Sequence, residues 1–137
     1  MAERTVLIMD DDEDVRFFMI CILKKLDLQV DAATNGDEAV AMYRTAAEGG
    51  TPYTAAILDL NIPGRMGGVE TARQILEIDP GALLYVASGD EFNPVMQRWV
   101  EYRFTGRLSK PFTYSDAVAV FQGLCAPQAG ERVSPGE

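Results

Sequence analysis

The sequence predicts an α/β domain built on a parallel sheet with helices on both faces. Three observations predict it. Five short apolar runs alternate with five amphipathic stretches. The runs are nearly continuous in apolar residues, as strands buried on both faces require. The residues able to do chemistry stand just past the runs, where ligands bind in such sheets. They are Asp10, Asp11 and Asp12 after the first run, Asp59 after the third, Ser88 after the fourth and Lys110 after the fifth.

The first strand is expected at about Thr5 to Met9. A helix follows with Val15, Phe18, Met19, Ile22 and Leu26 on one face. Leu28 to Ala32 reads as the second strand. Asn35 then opens a helix as its cap, with Glu38 reaching back in a capping box. That helix turns Ala39, Val40, Tyr43 and Ala47 inward and stops at Gly49-Gly50. The third strand covers about Thr54 to Asp59, and a Pro/Gly-rich loop follows, Asn61 to Gly68. Val69, Ala72, Ile75 and Leu76 mark a third helix, stopped by Asp79-Pro80-Gly81. Ala82 to Ala87 is the fourth strand. Asn93-Pro94 is a helix start, a cap followed by proline at the first helical position. Val95, Met96, Trp99 and Val100 give that helix its apolar face. Gly106 to Ser109 fits a short fifth strand, and a last helix runs from about Thr113 to Leu124.

At 137 residues the chain fits one domain, expected over 1–125. From 126 to 137 it turns to Pro, Gly, Gln, Glu and Ser, which reads as a frayed tail too short for an output domain. Twelve basic residues against 21 acidic ones give a net charge of −9, and the basic residues form no run. Direct binding to nucleic acid is therefore not expected, because phosphate contacts need clustered Lys and Arg. There is no histidine, so His-based triads and His–metal sites are excluded. Cys21 and Cys125 read as reduced thiols in or near the core. No apolar run approaches membrane length and the N-terminus does not read as a secretion signal, so a cytoplasmic location is expected.

Packed carboxylates oppose one another's ionisation unless a cation relieves them. Two strands that each deliver acid from their C-terminal ends therefore point to a divalent-metal site. Taken singly the same residues have plainer readings. Asp10 and Asp11 could cap the first helix, Asp59 and Ser88-Gly89 could be turn residues, and Lys110 could be a surface lysine. Asp12 reads as a helix-start residue, favourably placed against the helix dipole. Phe17, Phe18, Phe92, Trp99 and Phe121 read as core or half-buried packing rather than a cofactor box.

Four motifs, in order and at matching distances, resemble the receiver domain of two-component signalling, found in response regulators and hybrid histidine kinases. They are Val6 to Asp12 (VLIMDDD), Leu58 to Gly64 (LDLNIPG), Ala87 to Gly89 (ASG) and Leu108 to Phe112 (LSKPF). The resemblance covers about Arg4 to Leu124. It implies a flavodoxin-like doubly wound (βα)5 fold with strand order 2-1-3-4-5. It implies that Asp59 is the phosphoacceptor and that Asp10 and Asp11 hold Mg2+ (or Mn2+) together with Asp59 and the backbone carbonyl of Asn61. Ser88 would be the switch hydroxyl and Lys110 the cation on the phosphoryl group. The implied partner is a histidine kinase or a histidine phosphotransfer protein. Such a domain catalyses its own aspartyl phosphorylation and dephosphorylation and is not a metabolic enzyme. The resemblance also implies a cis peptide bond before Pro111, donor docking on the first helix (Val15, Phe18, Ile22) and an output surface near Trp99, Arg103 and Tyr114.

Two departures stand out. Arg107 occupies the position, three residues before the lysine, where many receivers carry Tyr or Phe as a rotating switch reporter. A surface contact with a partner or with Glu101 is the expected alternative. The loop after Asp59 is one residue longer than the commonest form. Together with Asn93 to Met96 and Phe104 to Phe112, it is similar to receivers attached to hybrid kinases and favours phosphorelay work over DNA binding. Asn61 and Asp90 stand two residues past Asp59 and Ser88, positions that in receivers influence how fast the acyl phosphate hydrolyses. An amide and an acid there imply a short-lived phosphoryl group. Two other functions compete: a receiver-like interaction module that works without phosphorylation, and a Mg2+-dependent phosphohydrolase of another α/β family. The absence of a substrate-specificity insertion disfavours the second.

Overall fold

A computed structural model of the chain describes residues 4–110 and 112–121. In chain order the elements are β1 (Thr5–Met9), α1 (Glu13–Lys25), β2 (Gln29–Ala33), α2 (Gly36–Glu48), β3 (Ala55–Asp59), α3 (Gly68–Ile78), β4 (Leu84–Ser88), α4 (Pro94–Gln97), β5 (Gly106–Ser109) and α5 (Tyr114–Phe121). All strand pairs are parallel and the sheet order is β2-β1-β3-β4-β5. The reversal of order between β1 and β3 opens a crevice at their carboxyl ends.

Each central strand divides its side chains between two cores, because successive residues point to opposite faces. Val6 and Ile8 join Met19, Ile22 and Leu23 of α1 and Ala117 and Phe121 of α5. Leu7 and Met9 join Tyr43 of α2, Ile75 of α3 and Met96 of α4. β3 and β4 are buried along their whole length, which explains their unbroken apolar sequence.

Local signals account for the helix ends. Asp12 caps α1, its carboxylate accepting from the amides of Asp14 (2.8 Å) and Val15 (3.2 Å). Glu13 and Asp14 then sit in the first turn and Lys24 and Lys25 in the last, each matched to the helix dipole. Asn35 caps α2 by accepting from Glu38 N. Glu38 does reach back, but to the amide and hydroxyl of Thr34, one residue before the cap.

The structure corrects several expectations. β2 and β4 both end one residue later, at Ala33 and Ser88, so Ser88 is the last residue of its strand. Helix α4 starts at Asn93-Pro94 as predicted but makes a single turn. The backbone leaves the helical region at Arg98 (φ −119°, ψ 39°). Hydrogen bonds from Arg103 N to Val100 O and from Phe104 N to Trp99 O close the following turn. Arg103 takes the left-handed conformation at φ 69°, as the residue after a helical turn commonly does. This path delivers Phe104 to the core, where it is 4 % exposed. Phe17 and Phe92 are not packing residues, being 68 % and 79 % exposed. Cys21 is an exposed free thiol and lies outside the core. Ile22 faces the sheet at 3 % exposure, so it is not available as a docking residue. Cys125, the tail 126–137 and Pro111 lie outside the described residues. Among the described residues, no helix is long and apolar enough to cross a membrane.

Candidate functional site

The register of the sheet assembles the site. Met9 pairs with Leu58 and Asp59 with Ala87, so the end of β1 lies beside the end of β3, which lies beside that of β4. Carboxylate oxygens of Asp10, Asp11 and Asp59 all lie within 4.8 Å of one another. Asp10 is fully buried, Asp59 is 5 % exposed and Asp11 is open to solvent. β5 brings Lys110 to the same point. Its ammonium donates to Asp10 Oδ2 at 2.8 Å and sits 3.3 Å from Asp59 Oδ1.

One lysine thus serves two nearly buried carboxylates, and the charge does not balance locally. Burial and the neighbouring Asp10 push Asp59 up to about 6, and Lys110 offsets only part of this. Burial also pulls Lys110 down, but its bonds and proximity to Asp10 and Asp59 outweigh that, leaving it above the usual lysine range. The surplus negative charge invites a cation. Three carboxylates without nitrogen or sulfur donors suit a hard divalent ion, and an exposed Asp11 leaves room for its waters. The donor set therefore fits Mg2+.

Asp10 is held on every side. Its amide donates to Ala33 O (3.1 Å), its Oδ1 accepts from Asp12 N (2.9 Å), and its carbonyl accepts from the Arg16 guanidinium (2.8 Å). Asn61 is exposed, and its amide lies 3.4 Å from Asp59 Oδ1. Ser88, 2 % exposed, stands at the end of β4 and its Oγ accepts from Asp90 N at 3.0 Å. The hydroxyl proton is left free to serve another acceptor. Asp90 is exposed and its carboxylate turns outward to accept from Phe92 N. Arg107 lies apart from the acid cluster. It is exposed, as expected, but its guanidinium donates to the carbonyl of Met96 in α4 (3.2 Å), and among the described residues it makes no ion pair with Glu101.

The loop after Asp59 is clamped by close backbone approach. A side chain at Gly68 would place its Cβ 2.8 Å from Asp59 O, and one at Gly67 would place it 2.5 Å from Leu60 O. Leu60 and Ile62 anchor the loop from below, buried at 8 % and 6 %. Thr71, fully buried, donates to Gly67 O at 2.7 Å. The far end of the loop is tied to α2 by Gly36 N donating to Met66 O. Sequence reasoning singled out the acids, the lysine and the serine. It missed Arg16 and Thr71. The signal for Arg16 was available: it is the first basic residue after five consecutive acids, Asp10 to Asp14.

Comparison with known proteins agrees with this geometry. The response regulator receiver domain model matches residues 6–122. The chain is 32 % identical over 123 residues to the transcriptional regulatory protein ResD of Bacillus subtilis, covering 89 % of this chain and 48 % of that protein. It is 30 % identical over 115 residues to the response regulator receiver protein CpdR of Brucella abortus, covering 84 % and 91 %. The chain thus spans about half of the first relative and nearly all of the second. The fold matches chemotaxis protein CheY4 of Vibrio cholerae at TM-score 0.76 and 23 % identity, covering 90 % and 99 %. It also matches the receiver domain of sensor histidine kinase PA1611 of Pseudomonas aeruginosa, which holds a magnesium ion in its active site cleft. There the TM-score is 0.76 at 17 % identity, covering 90 % and 98 %. Sheet order, the acids at the strand ends, the lysine between them and the match over most of the chain converge: the protein belongs to the response regulator receiver domain family.

Proposed function

We propose that this receiver accepts a phosphoryl group on Asp59 from the phosphohistidine of a cytoplasmic histidine kinase or phosphotransfer protein. The observation that carries the reading is the position of Lys110 between Asp10 and Asp59, with three carboxylates converging in front of it. Asp10, Asp11, Asp59 and the Asn61 carbonyl would hold Mg2+. The ion, when bound, offsets the charge repulsion between an anionic nucleophile and an anionic phosphoryl group.

The chain's own residues do the rest. Asp59, its pKa pushed up only to about 6, is ionised at neutral pH and attacks phosphorus. A carboxylate O–P bond forms as the donor's N–P bond breaks, and the donor histidine leaves. Lys110 is a point charge for a phosphoryl oxygen. It is already held where that oxygen arrives, so little is lost in orienting it. The Ser88 proton has a new acceptor only after modification. That bond favours one arrangement of the β4 end and the segment leading to α4. Beside the site a shallow groove lined by Val15, Phe18 and Phe112 suits the donor.

Intact mass after incubation with a small acyl phosphate tests this. An adduct that requires Mg2+ and disappears in Asp59→Asn supports the reading. Absence of an adduct with every donor favours the phosphorylation-independent module. Sustained turnover of phosphate esters favours the phosphohydrolase.

A further inference from the structure

We propose that Arg16 is a positioning residue that holds the turn carrying Asp10 and Asp11 in the geometry that binds the metal. The proposal rests on the metal-site reading above and extends it to a residue outside the acid cluster.

Five acids run consecutively from Asp10 to Asp14, and Arg16 is the first cation after them. The obvious use for such an arginine is an ion pair. Among the described residues it makes none. Its guanidinium passes the carboxylates and donates to a backbone oxygen, the carbonyl of Asp10, at 2.8 Å. Its own amide donates to Asp12 O at 3.0 Å, the first helical bond of α1. Arg16 therefore closes the turn between β1 and α1 from two directions.

The Asp10 carbonyl needs this donor. Asp10 is fully buried, β1 ends at Met9, and the other polar groups of Asp10 are already engaged by Ala33, Asp12 and Lys110. A carbonyl buried without a partner is costly, and a hydrogen bond from a charged donor is stronger than one from a neutral group. That oxygen begins the peptide unit leading to Asp11. Whatever fixes the carbonyl fixes the plane from which the Asp11 side chain departs. Asp11 itself is exposed and has no side-chain hydrogen bond among the described residues, so the turn determines where its carboxylate points.

Charge and geometry predict opposite signs, which makes the proposal decidable. If Arg16 acted only through its charge, removing that charge would relieve repulsion of Mg2+ and tighten binding. If it positions the turn, its loss weakens binding although a competing cation has gone. Arg16→Lys separates the two further, because it keeps the charge and loses the planar fork and its reach.

The test is calorimetric titration of the full chain with Mg2+ at pH 7.5, comparing Arg16→Lys, Arg16→Gln and Asp11→Asn, with thermal unfolding in EDTA measured alongside. The expected result is a dissociation constant roughly tenfold weaker in Arg16→Lys, the low end of what losing an outer partner costs a metal site. Arg16→Gln is expected to be weaker still. Unchanged affinity in Arg16→Lys overturns the proposal, even if its melting temperature falls, and so does tighter binding in Arg16→Gln. Should Arg16→Gln not fold, the Arg16→Lys titration decides alone. If Asp11→Asn loses Mg2+ while both arginine variants keep it, only the role of Arg16 fails. If the unsubstituted chain binds no Mg2+, the metal-site reading fails with it.

Discussion

Replacing Asp59 with Asn should stabilise the metal-free protein at neutral pH. Asp59 is 5 % exposed, lies beside a fully buried Asp10 and shares a single lysine with it. Its pKa is raised from an ordinary 3.8 to about 6, first by burial and then by Asp10. A carboxyl group whose pKa is higher in the folded state than in the unfolded one binds more protons when folded. Its contribution to stability is therefore present below the unfolded value and lost as pH rises through the folded value. From the two values the loss between pH 4 and pH 7.5 is roughly 3 kcal/mol, as an upper figure. Asn carries no charge and keeps an oxygen to accept from Asn61 N, so the variant escapes this loss. Urea unfolding of both proteins in EDTA across pH 4 to 7.5 measures it. The distant titrating groups are common to both proteins and cancel, so the difference reads Asp59 together with its coupling to Asp10 and Lys110. Asp59→Asn should match the unsubstituted chain near pH 4 and exceed it by about 2–3 kcal/mol at pH 7.5. Saturating Mg2+ should reverse the order, because only the native acid cluster gains from the ion. A gap that does not change with pH, or a less stable variant at pH 7.5 in EDTA, refutes the charge accounting.

Other outcomes follow from particular contacts. Tyr43 is fully buried and its hydroxyl donates to Asp79 Oδ2 at 2.7 Å, so Tyr43→Phe should cost about 1–2 kcal/mol in denaturant unfolding. A loss below a few tenths would show that this bond contributes nothing net. Gly68→Ala must push the backbone away from Asp59 O, so its Mg2+ titration should be weaker than that of the unsubstituted chain. Equal affinity would mean the clamp on the loop is irrelevant to the site. With Asn61 and Asp90 as an amide and an acid beside the site, the phosphorylated form should decay well within hours in Mg2+. A half-life of many hours, followed by intact mass, would contradict this.

Much of the fold was legible because its signals are local. Apolar runs ending in carboxylates located β1 and β3, Asn35 and Asn93-Pro94 located two helix starts, and Gly49-Gly50 located a stop. Asp10, Asp11, Asp59 and Lys110 were legible for a second reason. A parallel sheet gathers the residues after each strand, so position in sequence implies proximity in space. What was not legible depends on tertiary context. Nothing from Gln97 to Arg103 is a helix breaker, yet α4 stops at Gln97, because the chain must turn to bury Phe104 and enter β5. Phe17 and Cys21 fit an apolar helical pattern, but the face that reaches the sheet is set by Met19, Ile22 and Leu23. Arg107 donates to a backbone carbonyl, a contact for which residue types carry no code, and the place of Arg16 behind five acids marks the residue but not its backbone partner.

The central claim is that one carboxylate among three carries the phosphoryl group. Asp10 is locked by four hydrogen bonds and Asp11 is exposed to water, whereas Asp59 lies 3.3 Å from the lysine with its pKa raised. Reductive trapping with borohydride after acyl phosphate treatment, followed by peptide mapping, reads the modified residue directly. Homoserine at position 59, dependent on Mg2+, is the predicted result. Homoserine at position 10 or 11, or none anywhere, would contradict the account.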